Sequence, residues 1–385
     1  MLKTIPFFVA LLFSNFIFAQ KENKPYTAID TAIFADASHH WYDLYEKDRV
    51  IQPKQNQPRY KATELAAIAD NILLYQKDNG GWAKNYDMQA ILTPEQKDSL
   101  IKDKTVLNTT FDNRTTYSHV ACLANIYTVT KVERYKAAAL KGLEYILSAQ
   151  YANGGWPQYF PLEKNYSSHI TYNDDAFPGI MWMLKDISDG KPEYDFIDAS
   201  MKKRLKASFD NGLQCILKTQ INDAGKPTAW CQQYDETTLQ PAWARKFEPP
   251  SICNGESVEV VLLLMNINNP SKEVIDAVNY AVDWFNESAI PGIRVKTIDA
   301  PELVTPYRIS HTDRVVVQDA SAPNIWSRYY ELKTHRPLFC NRDSKVVYSL
   351  AEVDRERRDG YGWYTYEPQK ILNRYAAWKK KWVKG

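Results

Sequence analysis

Apolar residues recur at helical spacing along most of the chain, and three of the predicted helices end alike. The largely apolar stretches at residues 72–76, 145–150 and 215–220 each close on a glutamine. An apolar stripe with a period near 3.6 residues is typical of a helix that buries one face. The same spacing predicts further helices at residues 115–129, 175–187, 257–265 and 274–285.

A short motif behind two of these helices indicates an internal repeat. Asn-Gly-Gly-Trp occupies residues 79–82 and again 153–156, and Trp230 follows the third helix at the same 74-residue interval. Three units with one period predict a repeated supersecondary element. Glycine after a helix suits a tight turn, because it adopts positive φ without strain. The tryptophans are expected to pack beneath these turns.

Two predicted helices in each unit make about three helical hairpins, which can close into a partial (α/α) toroid. Strand signals are confined to short patches such as residues 314–317 and 345–348. We therefore predict an all-α fold with long loops and a few short strands. The loops should leave the hairpins at one end and converge on a concave face, where a functional site belongs.

The N-terminus has the pattern of an export signal. Lys3 precedes an apolar run at residues 6–18, and the small Ala19 is followed by polar residues. We predict a signal peptide at residues 1–19, an N-terminal extension at 20–60 and one main domain at 61–385. Later segments do not reach membrane-spanning length without charges. A secreted or periplasmic protein without a membrane span is expected.

Composition narrows the class of ligand. The 48 basic and 46 acidic residues give a net charge of +2, which provides no global field for nucleic acid. The 11 Trp and 25 Tyr residues suit the faces of sugars, although aromatic rings are equally core material. A local basic cleft that binds an acidic polymer is compatible with this charge balance. We also expect the protein to be a monomer.

Carboxylates cluster before two predicted helices. Asp112 and Asn113 precede one, and Asp174 and Asp175 precede the equivalent helix one repeat later. Each could simply cap its helix. Capping needs one oxygen, however, and adjacent carboxylates repel one another unless a cation lies between them. A toroid would bring both groups to one face, and hard oxygen ligands favour Ca²⁺. The predicted metal ligands are Asp112, Asp174 and Asp175.

Arginines in two later loops complete the candidate chemistry. Arg245 lies in an Ala-Arg-Lys-Phe-Glu-Pro-Pro-Ser segment, and Arg328 and Arg342 lie among aromatic residues. Guanidinium groups bind carboxylates in a bidentate manner, so this set suits an acidic substrate. Any of them could instead form a structural ion pair, as Arg245 could with Glu248.

The chain resembles the pectate lyases of polysaccharide lyase family ten from about residue 61 to 363. The motifs that carry the resemblance are Asn-Gly-Gly-Trp, Asp112-Asn113, Tyr-Asn-Asp-Asp-Ala at 172–176, Thr-Ala-Trp-Cys-Gln-Gln at 228–233, the Arg245 segment and Trp-Ser-Arg-Tyr-Tyr-Glu at 326–331. The resemblance implies the partial toroid fold and a polygalacturonate substrate.

Site roles follow from the resemblance. Arg245 matches the catalytic base, and Asp112 and Asp174 match carboxylates at the calcium and substrate site. The residues expected to bind substrate are Asn113, Lys218, Arg328 and Arg342. An arginine base is chemically difficult because its pKa is very high, whereas the pKa of a lysine such as Lys218 shifts more readily.

The expected reaction is calcium-assisted β-elimination, in which cations stabilise charge beside the uronate carboxylate while a base removes the C5 proton. The C4 oxygen leaves, and a C4–C5 double bond forms. A glycoside hydrolase, with Asp174 and Asp235 as its carboxylates, is one alternative. A glycan-binding protein without catalysis is the other.

Overall fold

The computed structural model describes residues 25–223 and 225–383. Helices account for about 46% of the chain and strands for about 15%. The α-helices within the described residues are α1 (Ala35–Tyr42), α2 (Leu65–Tyr75), α3 (Pro94–Lys102), α4 (Tyr117–Thr130), α5 (Glu133–Ala149), α6 (Ala176–Ser188), α7 (Ala199–Thr219), α8 (Asn254–Met265), α9 (Lys272–Glu287), α10 (Arg355–Gly360) and α11 (Pro368–Trp382).

Twelve strands accompany the helices in the described part of the chain. They are β1 (Ile170–Thr171), β2 (Asn222–Asp223), β3 (Lys226–Pro227), β4 (Gln233–Tyr234), β5 (Ile252–Cys253), β6 (Ile293–Val304), β7 (Ile309–Gln318), β8 (Trp326–Ser327), β9 (Tyr329–Tyr330), β10 (Pro337–Cys340), β11 (Val346–Val347) and β12 (Tyr364–Thr365). A four-stranded antiparallel sheet has the order β11-β10-β9-β5.

The predicted all-α fold is therefore wrong, and the protein mixes helices with strands. The longest strands, β6 and β7, form an antiparallel hairpin with an irregularity between Asp299 and Leu303. Most residues of this hairpin are at least partly exposed on both faces. Because neither face is continuously buried, the hairpin lacks the strict alternation that marks a half-buried strand.

The predicted helical hairpins are present as neighbouring pairs. Helices α4, α6 and α8 each pack against the next helix in the chain, namely α5, α7 and α9. Helix α4 also contacts α6, and α6 contacts α8, so these three form an inner row. Most residues of the inner row are buried, which fits its packing on several sides. Helix α11 closes against α8 and α9.

The repeated glutamines join each unit to the next. The Gln76 amide donates to the carbonyl oxygens of Gly80 and Ala138, each at 2.9 Å. Gln150 makes the equivalent bonds to Gly154 and Ser208, and Gln220 bonds to Thr228 and Ala277. Each side chain thus ties its own turn to a helix of the following unit, which explains why the residue recurs.

The repeated tryptophans secure the same turns from beneath. Trp82, Trp156 and Trp230 are fully buried. Their indole nitrogens donate to the carbonyl oxygens of Ile72, Ile146 and Ile216 at 2.8–2.9 Å. A buried indole needs such an acceptor, and a backbone carbonyl in the last turn of each helix supplies it. The tryptophans of the repeat are therefore architectural.

The N-terminal extension packs onto the helical core. Ile29, Phe34, Trp41 and Ile51 are buried. The Trp41 indole donates to the carbonyl oxygen of Ile51 at 2.9 Å, which closes the loop between them. The predicted signal peptide lies outside the described residues. Among the helices that are described, none combines the length and apolar character needed to cross a bilayer.

Candidate active site

A polar cavity of about 850 Å³, here called the cleft, lies where the loops of successive units meet. It brings together Asp112, Asn113, Asp174 and Arg245. These residues come from three separate segments of the chain, and the turns that carry Asp112 and Asp174 lie at one face, as the repeat predicts.

Two short turns with unusual backbone carry the acidic residues. In the first turn, Asn113 and Arg114 have φ angles of 50° and 60°. In the second, Asp174 and Asp175 have φ angles of 51° and 58°. Left-handed backbone is uncommon outside glycine and tends to occur at functional sites. By backbone conformation, Asn113 corresponds to Asp174, so Asp112 and Asp174 are offset by one residue between the repeats.

Asp112 is buried beside a lysine. Its Oδ2 atom lies 2.7 Å from the Lys84 ammonium, and its Oδ1 atom is buried without a hydrogen-bond partner. Burial disfavours the charged carboxylate, but Lys84 outweighs it and holds the pKa of Asp112 below its usual value. Asp112 is therefore an ionised group with one unused oxygen.

Asp174 has the opposite electrostatic character. Its side chain is open to the cleft but is surrounded by protein on most sides. Restricted solvation, followed by repulsion from Asp112, raises the pKa of Asp174 to about 7, although Arg328 and Arg245 act in the other direction. The Asn173 amide donates to its Oδ2 at 2.5 Å. Two carboxylates that repel one another at one cavity wall favour a cation between them.

Arg245 reaches the cleft while paired with Glu248. Its Nε and Nη2 atoms lie 2.8 and 2.5 Å from the two carboxylate oxygens. Burial disfavours the charged guanidinium, but the hydrogen bonds and charge of Glu248 raise the pKa of Arg245 above its ordinary value. Glu248 is almost fully buried and also accepts a bond from the Tyr361 hydroxyl at 3.0 Å.

Arg328 lies behind Asp174. Its Nη2 atom donates to Asn173 at 3.0 Å and to Glu256 at 2.5 Å. Its guanidinium carbon is also 4.7 Å from the centre of the Tyr361 ring, and that ring lines the cleft. The predicted arginine is thus next to the acidic site, held by an amide, a carboxylate and an aromatic face.

Arg342 is positioned by aromatic stacking at the side of the cleft. Its guanidinium carbon is 3.7 Å from the centre of the Tyr307 ring and 5.0 Å from that of Phe247. Glu356 accepts hydrogen bonds from its Nε and Nη2 atoms at 2.7 and 2.9 Å. Arg245 stacks on the same Phe247 ring at 5.0 Å, so the two predicted arginines are neighbours.

Four predicted site residues are not part of the cleft wall: Arg328 and Arg342 lie beside it, and two others lie further away. Lys218 is exposed on α7 and is not part of the cleft wall. Asp175 forms an ion pair of 2.8 Å with Arg114 and lines a second, more apolar cavity of about 380 Å³. The structure therefore places Asp112, Asn113, Asp174 and Arg245 together, with Arg328 and Arg342 beside them.

Sequence reasoning missed three parts of the cleft wall, namely Lys84, Arg357 and the extension residues from Glu46 to Val50. Lys84 follows the first Asn-Gly-Gly-Trp motif by two positions, which was the only available signal. The extension approaches the acidic site through Asp48, whose carboxylate is 3.9 Å from the Lys84 ammonium. The extension therefore contributes to the site as well as to the core.

The cleft contains suitable ligands for calcium. Asp112 offers a buried carboxylate oxygen that has no partner, and Asp174 offers a carboxylate whose ionisation is disfavoured by burial and by the charge of Asp112. Hard oxygen donors of this kind match Ca²⁺. A separate group with ligand atoms within 4.8 Å of one another is His169, Asp235 and Glu236, but His169 and Glu236 already form an ion pair of 2.8 Å.

Comparisons with known proteins agree with the geometry. A family model described as pectic acid lyase matches residues 76–372. A solved family 10 polysaccharide lyase from Cellvibrio cellulosa is 29% identical, with a TM-score of 0.68 over 82% of this chain and 91% of its own. A mutant of that lyase in complex with trigalacturonic acid is 28% identical, with the same TM-score over 83% and 93%. Among curated protein sequences, none matches.

Proposed function

The chain belongs to the pectic acid lyase family and is a pectate lyase, and we propose that it cleaves α-1,4-polygalacturonate by calcium-dependent anti β-elimination. The products are 4,5-unsaturated oligogalacturonides. The observation that supports this mechanism best is the presence of Asp112, Asp174 and Arg245 on the wall of one cleft. Acidic ligands and a guanidinium group on one cavity wall suit a substrate that carries a carboxylate beside the bond to be broken.

The proposed metal ligands are Asp112 and Asp174. Calcium would neutralise the uronate carboxylate and stabilise the negative charge that develops beside C5. Lys84 meanwhile satisfies the other oxygen of Asp112 and keeps that side chain in place. Asp175, which was predicted as a third ligand, is engaged by Arg114, so the proposal assigns it the role of fixing the second turn.

The proposed base is Arg245. Its Nη1 atom has no hydrogen-bond partner among the described residues, whereas Nε and Nη2 are held by Glu248. This arrangement orients the guanidinium group but opposes loss of its proton. Positive charge near the bound substrate acts in the opposite direction and lowers the pKa of Arg245. Lys218 is chemically easier to deprotonate, but it lies outside the cleft.

In the proposed elimination, deprotonated Arg245 takes the C5 proton of the galacturonate unit. The electron pair of that C–H bond forms the C4–C5 double bond. The glycosidic oxygen leaves C4 with its bonding electrons and takes up a proton. Asn113 on the cleft wall and Arg328 and Arg342 beside it are assigned to holding the substrate, because guanidinium and amide groups donate hydrogen bonds to carboxylates.

A hydrolase has weaker support. It would need a second carboxylate across the scissile bond from Asp174. Asp235, the predicted partner, caps a turn by accepting hydrogen bonds from the backbone of Thr237 and Thr238, and it is not part of the cleft wall. The protein is proposed to act as a monomer outside the cytoplasm, a location supported by the predicted export signal.

Product absorbance tests the reaction class. The protein is incubated with polygalacturonate at alkaline pH, with calcium or with a chelator, and ultraviolet absorbance is followed. Elimination creates a double bond conjugated to the carboxylate, so absorbance should rise with calcium and stop with the chelator. New reducing ends without any rise in absorbance would identify a hydrolase instead.

A further inference from the structure

Helix α10 contains one arginine that differs from its neighbours. Residues 355–359 read Arg-Glu-Arg-Arg-Asp. Arg358 forms a bidentate pair with Asp313 at 2.8 and 2.6 Å, and Arg355 donates to the carbonyl oxygens of Thr312 and Pro301. These two side chains bind the β6–β7 hairpin. Arg357 instead lines the cleft.

Arg357 is a buried cation without a counter-ion. It is only 5% exposed, and its Nε and Nη2 atoms are buried without hydrogen-bond partners. Within the described residues, no carboxylate lies within ion-pair distance of it. Burial, followed by the charges of Arg342 and Arg245, lowers the pKa of Arg357, with Tyr361 opposing. A buried charge is normally paired, so an unpaired one requires an explanation.

Neighbouring carboxylates cannot serve as its partner, because each already serves another arginine. Glu356 binds Arg342, and Glu248 binds Arg245. Asp359 pairs with Arg308 at 3.1 Å. Arginines in this region thus outnumber the acids available to them, and Arg357, which lines the cleft, is the one left without a carboxylate.

Aromatic rings hold the guanidinium group of Arg357 in place. Its central carbon is 3.9 Å from the ring centre of Phe247, 4.0 Å from that of Tyr361 and 5.5 Å from that of Trp363. Stacking of this kind stabilises a cation and fixes its plane while leaving its N–H groups available. The group is therefore oriented in advance but lacks a hydrogen-bond acceptor.

We propose that Arg357 binds the carboxylate of a galacturonate unit in the cleft, as a substrate-binding residue additional to Arg328 and Arg342. This inference rests on the proposed function, because the acidic sugar supplies the missing counter-ion. A carboxylate presents two oxygens to the planar N–H fork of arginine. Binding would satisfy the N–H donors of Arg357, which are buried without partners in the free protein. The substrate carboxylate would thus remove the energetic cost of these unpaired donors.

The experiment compares Arg357→Met with the wild-type protein. Methionine keeps much of the apolar packing and removes the charge and the donors. Binding of trigalacturonate is measured by calorimetry with a chelator present to stop turnover, together with binding of its methyl ester, which keeps the sugar chain but carries no charge. We expect trigalacturonate to bind the variant roughly 10- to 100-fold more weakly, as loss of a charged hydrogen bond implies. The ester should bind both proteins alike.

The thermal stability of the Arg357→Met variant distinguishes a substrate-binding role of Arg357 from a structural role. Because the lost cation has no counter-ion, Arg357→Met should have a Tm equal to or above that of the wild type. Arg374→Met, which removes an exposed arginine of α11, is the charge-matched control and should leave binding unchanged. Arg357→Lys serves as a second variant, since it keeps the charge but loses the fork; it should also bind the acid more weakly.

Two results would overturn the proposal. Unchanged trigalacturonate binding in both Arg357 variants would show that the residue does not contact the acid. Equal weakening for the acid and the ester, with a lower Tm, would show that the residue only supports the fold. Failure of the proposed elimination is seen separately, as a wild-type protein that binds trigalacturonate but produces no ultraviolet-absorbing product.

Discussion

The Lys84 ammonium lies 2.7 Å from Asp112 Oδ2, so a lysine already neutralises one of the proposed calcium ligands. Asp112 is only 3% exposed. Removing one member of a buried ion pair leaves the other charge uncompensated, which is strongly destabilising. The Lys84 ammonium thus holds Asp112 in place. The proposed calcium ion is a second cation, which would bind reversibly between Asp112 and Asp174.

Lys84→Met tests this division of charge. We expect the variant to lose about 3 kcal/mol of unfolding free energy without calcium. Calcium should restore part of that loss and should raise its Tm more than that of the wild type, because the remaining carboxylates then depend on the metal alone. Thermal unfolding with and without calcium provides the measurement.

Lys77→Met is the matched control for that experiment. Lys77 is also buried and pairs with Asp103, but it does not line the cleft. Its replacement should lower stability without any additional response to calcium. An equal calcium response in the two variants would show that the metal does not bind beside Lys84.

Glu248→Gln tests Arg245 as the base. Glu248 raises the pKa of Arg245, and a base acts only after it has lost its proton. Removing the negative charge lowers that pKa, so the rising alkaline limb of the pH–rate profile should move to lower pH by roughly 1 to 3 units. The profile of kcat/KM on polygalacturonate is measured for both proteins.

Glu356→Gln provides the comparison for the pH profile. Glu356 supports Arg342 in the same way that Glu248 supports Arg245. Its loss should change KM and leave the alkaline limb in place. If the limb of Glu248→Gln did not move, Arg245 would not be the group whose deprotonation limits the rate. Arg245→Ala itself should lower kcat by roughly 10²- to 10⁴-fold.

Acid sensitivity should originate partly in His119. This side chain is buried in α4 against Trp82, and burial lowers the pKa of His119 to about 3. The unfolded chain binds a proton below about pH 6.5, whereas the folded protein does not. The free energy of unfolding is therefore unaffected by protonation of His119 above about pH 6.5. It decreases as the pH falls from there towards 3, because only the unfolded chain takes up the proton.

Urea unfolding at pH 7.5 and pH 5 measures that loss. His119→Gln, which keeps an acceptor for the Thr116 backbone N–H, should lower stability at pH 7.5 and show a smaller decrease on acidification. His311→Gln removes an exposed histidine and should keep the wild-type difference. An unaltered pH difference in His119→Gln would contradict the assigned role.

Gly154→Ala should show how tightly the repeats pack. Gly154 has a φ of +95°, and an added Cβ would lie 2.1 Å from the carbonyl oxygen of Asn211 in α7. Gly190 also has positive φ, at +73°, but has free space around it. Gly190→Ala should cost about 1 kcal/mol in unfolding free energy. Gly154→Ala should cost clearly more, and equal losses would argue against close packing at this turn.

The helices of the repeat could be predicted because they leave periodic signals, whereas α1, α3, α10 and α11 were not predicted. Gln76, Gln150 and Gln220 recur because each bonds to the next unit, and a residue that recurs in this way can be recognised in the sequence. Only a short part of the β6–β7 hairpin was predicted as strand, at residues 314–317, because most of the hairpin residues are at least partly exposed on both faces. Several other strands are two residues long and pair with distant segments, as Ile252–Cys253 does with Tyr329–Tyr330.

The site was predictable where the repeat or the family resemblance marked it. Asp112 and Asp174 stood out as carboxylates before equivalent helices, although the backbone shows an offset of one residue between them. Arg357 could not be identified, because the six consecutive charged residues 354–359 do not reveal which one turns towards the cleft. Lys218 was suggested by resemblance alone. It lies on α7 as an exposed side chain and is not part of the cleft wall.

The calcium dependence of Asp174→Asn shows whether this carboxylate binds the metal that the reaction needs. The calcium concentration that gives half of the maximal rate of absorbance increase on polygalacturonate is measured for the wild type, Asp174→Asn and the control Asp235→Asn. The account predicts that Asp174→Asn needs roughly tenfold more calcium or is inactive, while Asp235→Asn matches the wild type. An Asp174→Asn variant with the wild-type rate and the wild-type calcium requirement would contradict the account.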